Sequence, residues 1–187
     1  PSLNAKPRCK NWQAERQLLF GDLHVHTKYS LDASTQGTRT SPADAYRFAK
    51  GGRLSVQPWL PSGEALRELQ LERPLDFAAV TDHAELFGER DICLDPSQRG
   101  YGSWQCRLYR GWPRGAFFLF NTKAAMAGRL GFCGEDGEYC RQAALRPWQD
   151  IQTSAEVAYD RSDDCEFTSF VAYEWTGAAE NLANLHR

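Results

Sequence analysis

The sequence reads as an α/β chain on two observations: three short apolar runs each end in polar residues, and the segments between them carry helical signals and are too long for hairpins. The first run, Leu18 to His26, is expected to be a buried strand that delivers polar groups at its C-terminal tip. Period-2 alternation then points His24 and His26 the same way. Ser41, Pro42 and Asp44 next supply an N-cap, a proline at the first helical position and an acid in the first turn. A helix should therefore run to about Lys50 and stop at Gly51 and Gly52. A second helix is expected from Ser62 to Glu72, ending before Pro74. The run from Asp76 to His83 repeats the first pattern, and this strand, helices, strand order predicts a parallel sheet.

From about Phe87 to Arg146 the pattern dissolves into Gly, Pro, Trp and four of the six cysteines. Residues 87–146 read as a Cys/Trp/Gly-rich insertion, with helices expected around Ala116 to Leu130 and Tyr139 to Leu145. Pro147 to Tyr159 looks helical again, because Trp148, Ile151, Ala155 and Ala158 share a face. A third strand is expected from Phe167 to Trp175. Three strands cannot close a barrel, and the wording stops at Asn184 to Arg187 without a cap or tail. The chain, 1–187, is expected to be a single partial domain, completed by missing C-terminal sequence or by an oligomer partner.

With 42% apolar and 25% charged residues, the composition is that of an ordinary globular protein. A formal charge of −2 gives no global basic field for phosphate backbones or anionic membranes, so nucleic acid is not a default partner. The longest apolar stretch, Ala116 to Phe132, is interrupted by Asn121, Lys123 and Arg129, and no membrane span is expected. None of the six cysteines forms a CxxC pair, so zinc-ribbon spacing is absent. The local pairs Cys93/Cys106 and Cys133/Cys140 read as disulfide staples, with free thiols in a cytosolic protein as the alternative. The expected location is periplasmic or secreted.

Only four histidines occur, His24, His26, His83 and His186, and three of them end expected strands. An HxH pair on a strand sets two imidazoles on one face, where both can bind one cation. Asp82 and His83 at the second tip, Asp32 after the first, and Glu174 at the third add carboxylates and an imidazole. Such a mixed N/O set without thiolates suits Zn, Mn or Fe. No Gly-rich phosphate loop or GxSxG elbow is present, and no cysteine has a catalytic setting.

The stretch from Gly21 to Ala33, with His24, His26 and Asp32, resembles the first motif of the PHP (polymerase and histidinol phosphatase) superfamily. Ala79 to His83 resembles the second motif. Tyr173 to Trp175, followed by Asn184 to His186, looks like the third motif and the next His-bearing strand. The wording around Ser41 to Gly51 and Ala84 to Glu89 is similar to the PHP-like branch called DUF3604. The resemblance implies part of a distorted (β/α)7 barrel with two or three divalent metals at the C-terminal ends of its strands, cleaving a small-molecule phosphoester. It implies that His24, His26 and Glu174 hold one metal, that Glu174 bridges to a second also bound by His186, and that Asp32 and His83 bind a third. Glu174 and Asp82 are the implied catalytic groups, Asp82 by orienting a neighbour. Two alternatives stay open: an amidohydrolase-like metal hydrolase, and a secreted, disulfide-stapled binding module whose histidines only fix structure.

Overall fold

The computed structural model describes residues 9–126 and 128–178, with 184–186 as backbone. Strand β1 (Gly21–Val25) leads through a short helix α1 (Leu31–Thr35) to α2 (Pro42–Ala49), a hairpin β2 (Leu54–Trp59) and β3 (Ala65–Leu69), and then β4 (Phe77–Val80). Helices α3 (Phe87–Leu94), α4 (Trp104–Gly111), α5 (Pro113–Ala125) and α6 (Glu138–Ala158) precede β5 (Thr168–Val171), β6 (Thr176–Ala178) and β7 (Asn184–His186).

The three apolar runs form one parallel sheet in the order β1-β4-β5. Its register aligns Gly21 with Phe77, and Phe77 through Val80 with Thr168 through Val171. Gly21 leaves room for the Phe77 ring, which a Cβ there would approach to 2.3 Å and force to shift. The molecule is mixed α/β with small sheets, and among the described residues no sheet closes on itself.

One sheet face is covered. Ala78 and Val80 pack with Ala45, Tyr46 and Ala49 of α2 and Ala155 and Ala158 of α6. Tyr46 is buried to 1% exposure, yet its hydroxyl is satisfied: it donates to Phe170 O at 2.9 Å and accepts from Val80 N at 3.1 Å. That pairing lets a phenol sit in the core without an orphaned polar group. Helix α2 starts as its sequence requires, with reciprocal Ser41 and Asp44 capping bonds and Pro42 in the first turn, and ends at Gly51 with φ 87°.

Three expectations fail. The segment expected as a helix from Ser62 to Glu72 instead contains β3, paired antiparallel to β2 with Leu54 opposite Leu69 and Val56 opposite Arg67. Ala65 to Leu69 are good helix formers, but the preceding Leu54–Trp59 segment offers an extended partner and Gly63, at φ 90°, closes the turn; pairing overrides propensity. The first strand is not buried: Leu18, Leu19 and Phe20 before it are exposed, as is Leu23 within it, because β1 is an edge strand and the second sheet face is open. The break expected between Tyr139–Leu145 and Pro147–Tyr159 does not occur, and α6 runs unbroken through Pro147. A proline inside a helix costs about 3 kcal/mol. Here the ring is fully buried, and next to it Arg146 pairs with Asp91 of α3, so tertiary packing offsets the defect and the helix continues.

A second core fills the Cys-rich stretch, built from Ile92, Tyr109, Ala116, Phe120 and Leu130 around two disulfides. Cys93–Cys106 ties α3 to α4, and Cys133–Cys140 ties a 3-10 turn to α6, as the local spacing suggested. Cys9–Cys165 joins the lead-in to the loop before β5 across 156 residues. A closure of that length restricts the unfolded chain by about 5 kcal/mol in the chain-entropy treatment. Among the described residues no helix is long and apolar enough to cross a membrane.

Helices α3 and α6 meet at Gly88, where an added Cβ would fall 1.8 Å from the Cys140 carbonyl oxygen. Backbone cannot yield as a side chain does, so Gly88→Ala should destabilise the protein by about 2–3 kcal/mol and lower Tm by roughly 5–10 °C. A thermal melt of the variant at wild-type Tm would show that the two helices are not in contact there.

Candidate metal centre

The parallel ladder continues past the strand ends. His83 and Glu174 form an isolated parallel bridge beyond β4 and β5, and Glu174 N donates to Asp82 O at 3.1 Å. Strand β1 ends beside them, so His24 and His26 arrive at the same edge. Glu174, 8% exposed, presents its Oε2 to both imidazoles of the HxH pair: His26 Nε2 lies at 2.7 Å and His24 Nε2 at 3.1 Å. Its Oε1 faces His83 Nε2 at 3.8 Å. The His26 ring stands 4.9 Å from each of the His24 and His83 rings.

On its other side His26 meets Asp32, with Nδ1 to Oδ2 at 2.9 Å. Two carboxylates at this distance from the two ring nitrogens favour the doubly protonated imidazolium when no cation is bound. The Asp32 hydrogen bond is the main cause of a His26 pKa raised to about 9, against the lowering effect of burial and with help from Glu174. Burial alone would raise Asp32 and Glu174, but the bonds from His26 and Ser30 overcome it for Asp32, which is held well below the usual carboxylate range. For Glu174 the His26 bond and the fields of all three histidines have the same net result.

Two overlapping ligand groups result, His24/His26/Glu174 and His26/Asp32/His83, each with its ligand atoms within 4.8 Å of one another. Separations of 2.7 and 3.1 Å are close to the roughly 3.3 Å expected between ligand atoms at 2.0–2.1 Å from one tetrahedral zinc. The donor set, imidazole and carboxylate without thiolate, therefore fits a divalent cation. A third group, Glu89/Cys133/Cys140, does not, because both sulfurs are committed to a disulfide.

Asp82 stands apart from these ligand atoms. It is fully buried, and both oxygens are taken by Thr27, one by the backbone N–H and one by the hydroxyl at 2.6 Å. Burial raises its pKa and the Thr27 donors oppose that rise. Its action is on the turn after His26, which it clamps to the second strand tip. His186 pairs by backbone with Thr176, but its side chain lies outside the described residues.

Three contributors escaped the sequence reading. The Ser30 hydroxyl donates to Asp32 and accepts from His83 N at 3.2 Å, linking two strand tips. Thr176 Oγ1 lies 3.0 Å from His83 Nδ1. The Glu85 carboxylate accepts from Thr176 N and stands 3.9 Å from His83 Nδ1. Small hydroxyls have no motif of their own; only Glu85, two residues after His83, carried a hint.

The His26 shift fixes a pH dependence for the chelator-treated protein. A folded-state pKa raised from 6.5 to about 9 adds stability that is complete below pH 6.5 and lost as pH climbs through 9. The depressed carboxylates act oppositely, adding stability above about pH 4 that disappears in acid. Tm in EDTA should therefore fall between pH 6.5 and 9, by at most about 3 kcal/mol of stability, and His26→Gln should flatten that limb. A wild-type Tm that holds level or rises across this window contradicts the assignment.

No curated protein and no solved structure matches the chain. The model of DUF3604, a family of proteins of unknown function, matches residues 13–187. The chain belongs to the DUF3604 family.

Proposed function

We propose that the protein is a divalent-metal hydrolase of the PHP type that cleaves a small-molecule phosphoester. The carrying observation is Glu174, which directs one oxygen at His24 and His26 and the other at His83. A first cation would be held by His24 Nε2, His26 Nε2 and Glu174. Asp32 then orients His26 through Nδ1, a role carboxylates often play beside metal-binding imidazoles. Because a neutral imidazole has one lone pair, His26 serves one cation only. Glu174 would bridge to a second at His83, the residue steadied by Thr176 and Glu85. Zn, Mn and Fe all suit this set.

Such cations would supply Lewis acidity, activating water near neutral pH and offsetting charge on phosphoryl oxygens. The chain's own groups do the rest. Glu174 is kept deprotonated by its histidines, and Asp82 holds Thr27 so that His26 meets Glu174 rather than solvent. Ligands at the C-terminal ends of parallel strands are the arrangement that β/α barrels use for catalysis, which supports reading the β1-β4-β5 sheet as part of a (β/α)7 barrel. Three disulfides support a periplasmic or secreted location.

Elemental analysis after metal loading should return two or more equivalents per chain. His24→Ala should lose one, and Glu174→Gln at least two. Asp32→Asn should keep the stoichiometry but weaken affinity about 10–100-fold. Loaded protein should hydrolyse 4-nitrophenyl phosphate or its bis-ester, with kcat falling at least about a hundredfold in Glu174→Gln. Protein that takes up no metal above the level of the Glu174→Gln variant defeats the proposal and leaves the disulfide-stapled binding module standing.

A further inference from the structure

A cavity of about 350 Å³ is lined by Lys28, Arg39, Arg90 and Arg110 together with Ser34 and Thr38, and no carboxylate is among its lining residues. Four cations converge there in a chain whose acids outnumber its lysines and arginines. Elsewhere the pairing is different: Arg129, Arg141, Arg146 and Arg161 each meet a carboxylate. Arg39 instead lies over the Trp59 ring and donates to Gly63 O at 3.1 Å, and Arg110 lies over Tyr101 and donates to the carbonyls of Cys93 and Tyr101. Lys28 Nζ stands 5.2 Å from the Tyr29 ring centre. These contacts hold the charged ends on carbonyl oxygens and ring faces and bring no carboxylate to them.

Arg90 is the most enclosed of the four cations. The residue is 6% exposed, its guanidinium carbon stands 5.3 Å from the Tyr29 ring, and its Nε is buried without any hydrogen-bond partner among the described residues. A buried guanidinium persists only when something answers its charge and its donors. A second cleft that shares Lys28 and Arg90 is lined by Asp91, already held by Arg146, and by Asp95. Arg90 also lines the all-cationic cavity, where no carboxylate among the lining residues answers its charge.

We propose that this cavity is an oxyanion-binding site, taking a phosphate, sulfate or carboxylate group of a small molecule on Arg90, Lys28, Arg39 and Arg110. Guanidinium forks suit such groups through paired, charge-assisted hydrogen bonds. Lys28 follows His26 by two residues, a span of at most about 7 Å of backbone. On the metal-hydrolase reading, on which the site itself does not rest, a ligand anchored here by one anionic group would offer a second to His24, His26 and Glu174.

The test is calorimetric titration of EDTA-dialysed protein with phosphate, sulfate and acetate at constant ionic strength set by chloride. Saturable binding with Kd below about 1 mM is expected for at least one of the three. Preference for phosphate and sulfate assigns a tetrahedral anion, and equal or tighter acetate binding assigns a carboxylate. Lys28→Gln and Arg39→Gln, the first half-buried and the second exposed, both checked for folding by circular dichroism, should each weaken the preferred anion at least about tenfold. His24→Ala should leave that affinity unchanged, which separates this site from the metal centre. Absence of saturable binding by all three anions, or affinity indifferent to both Lys28→Gln and Arg39→Gln, overturns the proposal.

Discussion

The bridge between His83 and Glu174 is the constraint on which the rest depends. Because β4 and β5 are parallel and in register from Phe77/Thr168 through Val80/Val171, the next residues of both chains emerge side by side at one end of the sheet. A one-residue slip would send Glu174 to the opposite face and leave His24 and His26 without their shared oxygen. Register is in turn fixed by what the covered face packs: Ala78 and Val80 against α2 and α6, with the Tyr46 hydroxyl tied to one backbone group of each strand. Core packing thus sets the position of the polar edge.

The edge is electrostatically self-consistent only as a set. Asp32 and Glu174 are half-buried or buried acids that stay ionised because His26 lies between them, and His26 stays charged for the same reason. Removing any one member leaves the others as uncompensated charge in a poorly solvated place. A divalent cation answers the same need, replacing the imidazolium proton as the positive partner of the carboxylates. Asp82 supplies the stiffness, since a buried carboxylate with both oxygens bonded to Thr27 fixes the turn that carries His26.

Much of this was legible in the sequence where a residue type can do only one thing. Ser41, Pro42 and Asp44 announce a helix start, and period-2 spacing puts His24 and His26 on one side; the structure agrees with both. Residues whose behaviour depends on a distant partner were not legible. Ala65 to Leu69 have helical propensity but pair with β2, and Pro147 reads as a helix boundary but is carried through by packing against α3 and its neighbours. Leu18, Leu19, Phe20 and Leu23 look like a buried strand, yet nothing in a local window says that the sheet face above them is open. Ser30 and Thr176 join the site only through tertiary hydrogen bonds, which no spacing encodes.

Anomalous diffraction at the zinc edge, from crystals soaked in zinc, examines the central geometry most directly. The account predicts one peak at about 2.0–2.2 Å from His24 Nε2, His26 Nε2 and a Glu174 oxygen, and a second beside His83 on the other Glu174 oxygen. Density that leaves His26 paired with Glu174 and Asp32 while zinc settles elsewhere on the surface would contradict it.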